Sequence, residues 1–203
     1  MTTALDGDVE LLERALGYTR LALADVSADL LDRPTPCAGW TLEELLAHME
    51  DALDAFLEAA SGVVDVLPAG AATGRVGALQ EKACALLGAF SRAVPERVAV
   101  GGADLSGGVL VTTAALEITL HGWDVAQSTG RASPIPASLA GELLTVAHRV
   151  IDPADRGPRF ARPLPVAADA SPEALLLAFA GRDSSGPPRP IRGKPGTAPG
   201  LAS

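Results

Sequence analysis

Apolar residues recur at steps of three to four through most of the chain, which is the spacing that places side chains on one face of an α-helix. The pattern predicts helices at about residues 6–28, 41–60, 76–94, 109–129 and 137–150, and a short one at 171–180. Proline, glycine and short extended pieces interrupt the chain between these segments. The sequence therefore predicts an all-helical protein in which helices pack on helices.

Local signals mark where some of these elements begin and end. Thr41-Leu42-Glu43-Glu44 fits a capping box, in which Thr41 caps the first turn and Glu44 reaches back to the backbone. Gly130 is expected to cap the fourth segment, because glycine readily adopts the left-handed conformation that ends a helix. Residues 33–40 are predicted to form a structured loop, and residues 97–108 to form short extended pieces with glycine turns.

The fourth predicted helix carries a narrow polar stripe in an otherwise apolar segment. At a helical period of about 100° per residue, one side holds Thr113, Glu117, His121, Asp124 and Ser128. The stripe is typical of the solvent face of an amphipathic helix. It also fits a metal site, because Glu117 and His121 lie one turn apart and both residue types are common zinc ligands. The stripe contains no lysine or arginine, which weighs against a solvent face.

Other polar residues offer weaker signals. His48 lies beside the apolar stripe of the second helix, where a lone histidine is more often a packed residue than a ligand. His148 lies near the end of the fifth helix, where it favours the helix dipole. Asp124 either accepts a hydrogen bond from the second ring nitrogen of His121 or occupies an ordinary polar position. Spacing leaves both interpretations open.

Two cysteines, Cys37 and Cys84, do not make a disulfide framework. Cys37 precedes a helix N-terminus, where loop packing is favoured over a redox or metal role. Cys84 is expected to be a small core residue. Trp40 and Trp123 are interpreted as packing anchors.

Composition narrows the class of protein. The chain has 203 residues, 48% of them hydrophobic and 3% aromatic, so leucine, valine and alanine must build its core. The net charge of −9 without a basic cluster argues against a nucleic-acid backbone as partner. No run approaches the roughly 20 apolar residues of a membrane span, and the N-terminus lacks signal-peptide features. We therefore expect a cytoplasmic protein.

The organisation along the chain is simple. Residues 1–183 are predicted to form one helical domain. Residues 184–203 are rich in proline and glycine and lose all hydrophobic periodicity, which predicts a disordered tail.

Several short motifs occur together and in a fixed order. They are Thr35-Pro36-Cys37-x-x-Trp40-Thr41, Leu45-Leu46-x-His48, Glu117-x-x-x-His121-Gly122-Trp123-Asp124, Ala170-Ser171-Pro172 and Gly181-Arg182-Asp183. Together they resemble the actinobacterial metal-binding proteins related to mycothiol-dependent maleylpyruvate isomerase, within the DinB-like superfamily. The resemblance extends from about residue 7 to residue 183.

The resemblance implies a DinB-like four-helix bundle with an additional helix and a short C-terminal appendage. It also implies that His48, Glu117 and His121 bind one divalent metal, with zinc expected. Three protein ligands leave an open position, as in catalytic zinc sites. In the family that position receives a low-molecular-weight thiol such as mycothiol, which would here be a co-substrate.

The sequence departs from the isomerase itself after the bundle, where the isomerase has a larger second domain. The isomerase activity is therefore not carried over. The first hypothesis is a metal-dependent thiol S-transferase or isomerase acting on a small electrophile. The alternative is a non-catalytic metal-binding bundle that binds a ligand or another protein. Whether the chain is an enzyme, and whether it forms a homodimer, stay open at this point.

Overall fold

The structure is a computed structural model that describes residues 4–37, 39–61, 72–100, 103–131, 133–157 and 159–184. Its helices are α1 (Ala4–Leu23), α2 (Leu42–Ser61), α3 (Ala72–Arg92), α4 (Gly107–Thr129), α5 (Ala137–Val150) and α6 (Pro172–Phe179). Two strands, β1 (Arg97–Val100) and β2 (Ala103–Ser106), pair antiparallel between α3 and α4. The predicted all-helical class is confirmed, and the extended pieces form a hairpin.

The first four helices form a ring of neighbours. Helix α1 packs on α4, α4 on α2, α2 on α3, and α3 again on α1. Helix α5 lies against α4 outside this ring, and α6 covers α5. This is a four-helix bundle with an additional helix and a short C-terminal appendage, as the motifs implied. The core is built mainly from leucine, valine and alanine side chains of all six helices.

Helix α4 is surrounded by other elements and is buried on nearly all sides. The Ser106 side chain accepts a hydrogen bond from the Val109 N–H at its start. Gly130 ends it at φ 79°, with its N–H bonded to carbonyls of the last turn, so the predicted C-cap is confirmed. Asp124 and Ser128 of the polar stripe are buried. The solvent-face interpretation is therefore wrong, because other helices pack on both sides of the stripe.

Two local predictions need correction. Helix α1 ends at Leu23 rather than near residue 28, because the chain leaves the helix there and Val26 packs on the core from a turn. Cys84 is exposed and does not lie in the core as expected. The capping box at the start of α2 is confirmed, since Thr41 N–H donates to Glu44 and Glu44 N–H donates to the Thr41 hydroxyl.

A buried charged cluster joins α2 to α3. Lys82 is 1% exposed and its Nζ lies 3.2 Å from Glu50 Oε1 and 2.5 Å from Asp54 Oδ2. Arg75 Nη1 lies 2.8 Å from the other oxygen of Glu50. Each charge has a partner of opposite sign, which offsets the cost of removing it from water. The cluster holds α3 against α2 on the side of the bundle away from α5.

The expectations of a cytoplasmic location and a disordered tail are not tested by the described residues. None of the described helices is long and apolar enough to cross a membrane. The predicted disordered tail lies, beyond Ser184, outside the described residues, as does most of the connection between α2 and α3. The tail and the cytoplasmic location stay predictions.

The closest approach of α1 to α4 depends on a glycine. A Cβ atom at Gly122 would lie 2.4 Å from the Thr19 hydroxyl oxygen and 3.1 Å from the Thr19 Cα. Thr19 also donates its hydroxyl to the carbonyl of Ile118 at 2.8 Å. The two backbones therefore meet at a point with no room for a side chain on α4.

Replacing Gly122 with alanine should consequently destabilise the protein. Overpacking a filled interior costs about 1–3 kcal/mol. Urea unfolding followed by circular dichroism measures the change. Gly141→Ala is the matched control, because a Cβ there meets nothing within 4 Å. It should stabilise α5 by roughly 0.5–1 kcal/mol through helix propensity. Equal effects of the two substitutions would contradict the close packing of α1 on α4.

Candidate metal centre

Two histidines from different helices converge on one carboxylate oxygen. His48 on α2 places its Nε2 3.2 Å from Glu117 Oε1. His121 on α4 places its Nε2 3.1 Å from the same oxygen. The two imidazole rings are 5.0 Å apart and nearly perpendicular, at 84°. The helical spacing of Glu117 and His121 puts them on one face, and the packing of α2 on α4 adds His48.

The second nitrogen of His121 is also bonded. Its Nδ1 lies 3.0 Å from Oδ2 of Asp124, whose side chain is fully buried. A carboxylate at this distance accepts the Nδ1–H, and Nε2 is then the ring nitrogen that faces Glu117. Of the two interpretations of Asp124, the structure has the one in which it accepts a hydrogen bond from the second ring nitrogen of His121.

Asp124 is itself clamped by an arginine. Arg182 Nε lies 2.9 Å from Oδ1 and Arg182 Nη2 lies 2.7 Å from Oδ2. Two parallel charge-assisted bonds of this kind fix both the position and the orientation of a carboxylate. The Cys37 thiol donates to Oδ2 as well, at 3.2 Å, and its sulfur lies 3.8 Å from His121 Nδ1. Behind the ligand candidates there is therefore a fully hydrogen-bonded layer of buried polar groups.

Arg182 reaches the site through the turn that ends α6. The Gly181 N–H bonds to Ala178 O at 3.0 Å and the Arg182 N–H to Leu177 O at 2.8 Å. This pair of bonds, with Gly181 at φ 78°, is a Schellman motif. A Cβ atom at Gly181 would lie 2.6 Å from the Cβ of Ala161, so a larger residue would not fit.

Cys37 is held by the loop before α2. The Trp40 N–H bonds to Cys37 O at 3.1 Å, and the Thr35 N–H bonds to Trp40 O at 3.0 Å. The Thr35 hydroxyl donates to both carbonyls. Gly39, at φ 86°, permits the tight turn inside this loop. The loop was expected to be structured, and its hydrogen bonds aim the thiol into the bundle.

Burial and charge have opposite effects on the pKa values of Glu117 and His121. Burial favours the neutral form of Glu117, but the charge of His121 and hydrogen bonds from both histidines hold the carboxyl pKa well below its ordinary value. Burial likewise disfavours the charged form of His121, but the charge of Glu117 and the hydrogen bond with Asp124 raise its pKa well above the ordinary value. In the metal-free protein, His121 is therefore an imidazolium between two carboxylates.

The pKa values of Asp124 and Cys37, the two groups behind His121, are shifted in opposite directions. Burial would raise the pKa of Asp124, but the charge of Arg182 and the bond from His121 lower it strongly. Burial, and then the negative charge of Asp124, raise the pKa of the Cys37 thiol. The thiol is consequently a neutral hydrogen-bond donor and not a reactive thiolate. Loop packing describes Cys37 better than a redox role.

The donor set of His48, Glu117 and His121 fits a divalent cation. Ligand atoms about 2.1 Å from a tetrahedral zinc lie about 3.4 Å from one another. The carboxylate oxygen and the two Nε2 atoms are 3.1 and 3.2 Å apart, close to that spacing. Without a cation the same distances are hydrogen bonds, so the three side chains stay together in either state.

A second group of metal-type residues, Cys37, His121 and Asp124, also lies close together. It fits a cation poorly. Both oxygens of Asp124 are already bonded to the Arg182 guanidinium, whose positive charge would repel a metal ion. Its His121 atom would be Nδ1, which the hydrogen bond to Asp124 occupies. We infer that Cys37 and Asp124 hold His121 in position for the first group and do not bind a cation themselves.

The remaining candidates behave differently from one another. His148 bonds to Leu144 O at 2.8 Å and lies against Phe179, and neither contact involves a residue of the His48, Glu117 and His121 cluster. Trp123 is buried, as expected of a packing anchor. Trp40 is half-buried with its ring centroid 4.8 Å from that of His48, so it packs directly on a ligand candidate.

Arg182 is the functional residue that spacing did not reveal. It is 58 residues away from Asp124 in the chain, and neither residue predicts the other. Its signal was the Gly181-Arg182-Asp183 motif at the end of a short helix. The motif is part of the resemblance, which does not by itself place an arginine at the site.

The site also borders a cavity of about 410 Å³, and Glu117 and His121 form part of its lining. His48 is not among the residues that line this cavity, and its side chain is 36% exposed. A cation held by the three side chains would therefore be accessible to a small molecule.

The fold and this centre define a helical bundle with a partly buried His–Glu–His cluster at the contact of α2 and α4. Residues 12–126, more than half of the chain, match the family described as mycothiol maleylpyruvate isomerase N-terminal domain. The chain belongs to that family, as the motifs indicated.

Relatives among known proteins extend the likeness beyond the matched domain. Two uncharacterized proteins of Mycobacterium tuberculosis, from strains CDC 1551 and H37Rv, are each 29% identical over 176 residues. The alignment covers 84% of this chain and 94% of each relative. No solved structure shows a significant match to the sequence.

The Asp124 carboxylate should be the most sensitive position for stability around the centre. Asp124→Asn removes the charge that pairs with buried Arg182. Loss of one partner of a buried pair costs about 3–5 kcal/mol. Urea unfolding of metal-free protein at pH 7 measures this. Asp104→Asn is the control, because its pair with Arg97 is exposed and worth about 0–1 kcal/mol.

The loss should also depend on pH in a definite direction. The folded pKa of Asp124 is depressed, so its contribution is complete above the unfolded value of about 4 and declines as pH falls toward the folded value. The stability difference between wild type and Asp124→Asn should therefore narrow below about pH 4. A difference that stays constant from pH 7 to pH 3 would contradict the charge pairing.

Proposed function

We propose that this protein is a divalent-metal-dependent enzyme that uses a low-molecular-weight thiol of the mycothiol type to modify or isomerise a small electrophile. The main support is the convergence of His48 Nε2, Glu117 Oε1 and His121 Nε2 on one point. Membership of the mycothiol maleylpyruvate isomerase N-terminal domain family supports the choice of thiol.

In this proposal each side chain has a separate task. His48, Glu117 and His121 hold the cation, for which zinc suits two imidazoles and a carboxylate. Asp124 keeps His121 in the tautomer whose Nε2 is free to bind. Arg182 keeps Asp124 ionised and in place. When bound, a divalent cation favours the deprotonated form of a thiol, which is the nucleophilic form.

The proposed chemistry needs no oxidant or reductant. The thiol sulfur forms a bond to an electrophilic carbon. In a transfer, the displaced electron pair leaves with the leaving group, which takes up the proton that the thiol released. In an isomerisation, the electron pair of the double bond passes to the neighbouring carbon and rotation follows about the resulting single bond. The pair then reforms the double bond as the carbon–sulfur bond breaks, and the sulfur takes back its proton, which regenerates the thiol. Apolar walls beside Glu117 and His121 keep water away from the reacting sulfur.

A catalytic role is favoured over a purely structural metal site by the number of donors. Structural zinc sites usually have four protein ligands. Among the described residues, the cluster of His48, Glu117 and His121 has three. The half-exposed imidazole of His48 and the adjacent cavity also leave room for a ligand from solution. These features suit an exchangeable position better than a closed one.

Metal binding is expected to depend on all three side chains. His48→Ala and His121→Ala should each abolish stoichiometric binding, because each removes one of three donors. Glu117→Gln keeps the size of the side chain but removes its charge, and should weaken binding while the bundle stays folded. Elemental analysis of purified protein and calorimetric titration with Zn²⁺ measure both effects.

His148→Ala is the matched control, since this exposed histidine lies on α5 and should not affect metal content. Far-ultraviolet circular dichroism verifies that each variant is folded. Full occupancy in the His48→Ala protein would contradict the proposed ligand set.

The use of a thiol is tested with cobalt-substituted protein. Co²⁺ bound by two imidazoles and a carboxylate should gain an intense sulfur-to-cobalt charge-transfer band in the near ultraviolet when mycothiol is added. The S-methyl derivative of mycothiol is the control ligand, because it cannot form a thiolate. A protein that binds Co²⁺ but shows no change with mycothiol would overturn the thiol function while leaving the metal site intact.

A further inference from the structure

The cavity beside the candidate metal centre lies inside the ring of α1, α2, α3 and α4. Its volume of about 410 Å³ falls within the range typical of small-molecule sites. Its walls come from all four helices, so it is a feature of the bundle itself. A pocket formed this way is present before any ligand arrives.

The walls of the cavity are strongly apolar. Buried or half-buried apolar side chains dominate the lining, among them Leu16, Met49, Ala52, Leu79, Ala83 and Ile118. Such a surface gives water few hydrogen-bond partners. It favours a ligand that buries its own apolar surface against these walls.

The polar lining residues lie at two ends. Glu117 and His121 lie at the inner end on α4, the buried helix. Glu13 and Arg20 on α1, with Gln80 on α3, are exposed and mark the mouth between those helices. A ligand that enters between α1 and α3 therefore passes apolar walls before it reaches the metal-binding side chains.

Charge at the two ends argues against an anionic ligand. At the mouth, Arg20 is balanced by Glu13, so no net positive charge attracts an anion. At the inner end the Glu117 carboxylate is already hydrogen-bonded to both histidines. Under the proposed function, the two positive charges of a bound cation would be offset there by the carboxylate and by the thiolate. The described lining offers a dicarboxylate no unbalanced cation to replace its lost hydration, and burying an unpaired charge is costly.

We propose that this cavity binds the electrophile, and that the electrophile is an uncharged molecule with an apolar body whose reactive end faces Glu117 and His121. That the bound molecule is an electrophile rests on the proposed function. That the cavity binds an uncharged apolar molecule does not rest on it. A bulky residue at the wall would block the site. In this proposal the apolar walls of the cavity determine substrate specificity, and they exclude small dicarboxylates.

Binding is tested directly with N-phenyl-1-naphthylamine, a neutral fluorophore whose emission rises in apolar surroundings. It should bind the full-length protein with and without Zn²⁺. Ala83→Phe places a ring into the cavity and should weaken binding by roughly tenfold or more. Ala85→Phe is the matched control, because Ala85 is exposed on the same helix and does not line the cavity.

A second pair of variants approaches the cavity from α2 and protects the test against a folding defect in Ala83→Phe. Ala52→Leu fills the cavity from a half-buried lining position, and Ala55→Leu adds the same volume at an exposed position. Thermal melting verifies that all four variants are folded. Weaker binding in Ala52→Leu and Ala83→Phe alone is the expected result.

The charge preference is tested by competition between two ligands that share a naphthalene ring. The neutral 2-naphthalenemethanol should displace the fluorophore, and 2,3-naphthalenedicarboxylate should fail to displace it at the same concentration. Absence of fluorophore binding, equal binding in the filled-cavity and control variants, or equal displacement by the dianion would each overturn the proposal.

These outcomes are independent of the metal and thiol chemistry. A protein that binds the fluorophore as expected but gives no cobalt–thiolate band loses the proposed function and keeps the apolar site. A protein with the band and no fluorophore binding keeps the function and loses the apolar substrate class. The two failures are therefore distinguishable.

Discussion

The fully buried Asp124 carboxylate is the constraint on which the centre of this protein depends. An anion in the core must be paired, because its lost hydration is otherwise uncompensated. Arg182 supplies two hydrogen bonds, and His121 and Cys37 supply one each. Three parts of the chain therefore have to be in place together, namely the loop before α2, helix α4 and the turn that ends α6.

This requirement explains why α4 is polar along one line and yet buried. A helix surrounded by others normally lacks charged residues. Here the charged groups face one another across the contact with α2 and across the turn after α6, so their hydrogen bonds are made inside the protein. Gly122 is equally constrained on the opposite side, where Thr19 of α1 leaves no space. Helix α4 is fixed by charge pairing on one side and by close packing on the other.

The parts of the site that could be predicted from sequence are those set by local geometry. Glu117 and His121 are one turn apart, and any helix through them brings them together. His48 needed more, because its partner lies on another helix, and the ordered set of motifs supplied that link. Their placement in one cluster agrees with the prediction, whereas metal ligation itself stays a prediction.

Arg182 could not be assigned, because its position depends on a tertiary path through α5 and α6. A Schellman turn with Gly181 reverses the chain at that point, and no periodicity in the sequence encodes where the next side chain arrives. The prediction for Cys84 was wrong for a related reason. It rested on the tendency of free cysteines to be buried, but α1 and α3 leave a cavity between them, so a residue near its mouth is exposed. Helical periods predict a face, and the neighbours of that face decide whether it is covered.

The bond between Arg182 and Asp124 has a thermodynamic consequence for the C-terminal segment. That segment is attached to the bundle partly through the Asp124 carboxylate. The same carboxylate also bonds to His121 Nδ1 and orients that ring. Any ligand that draws on the Nε2 lone pair of His121 therefore acts on the same hydrogen-bonded chain that holds α6 in place. By linkage, whatever free energy a bound cation adds to the docking of α6, the docking of α6 adds to the binding of the cation. The short appendage then contributes to the affinity of the centre for a cation, although the hydrogen bonds of Arg182 are to Asp124 and Cys37 and not to the three ligand candidates.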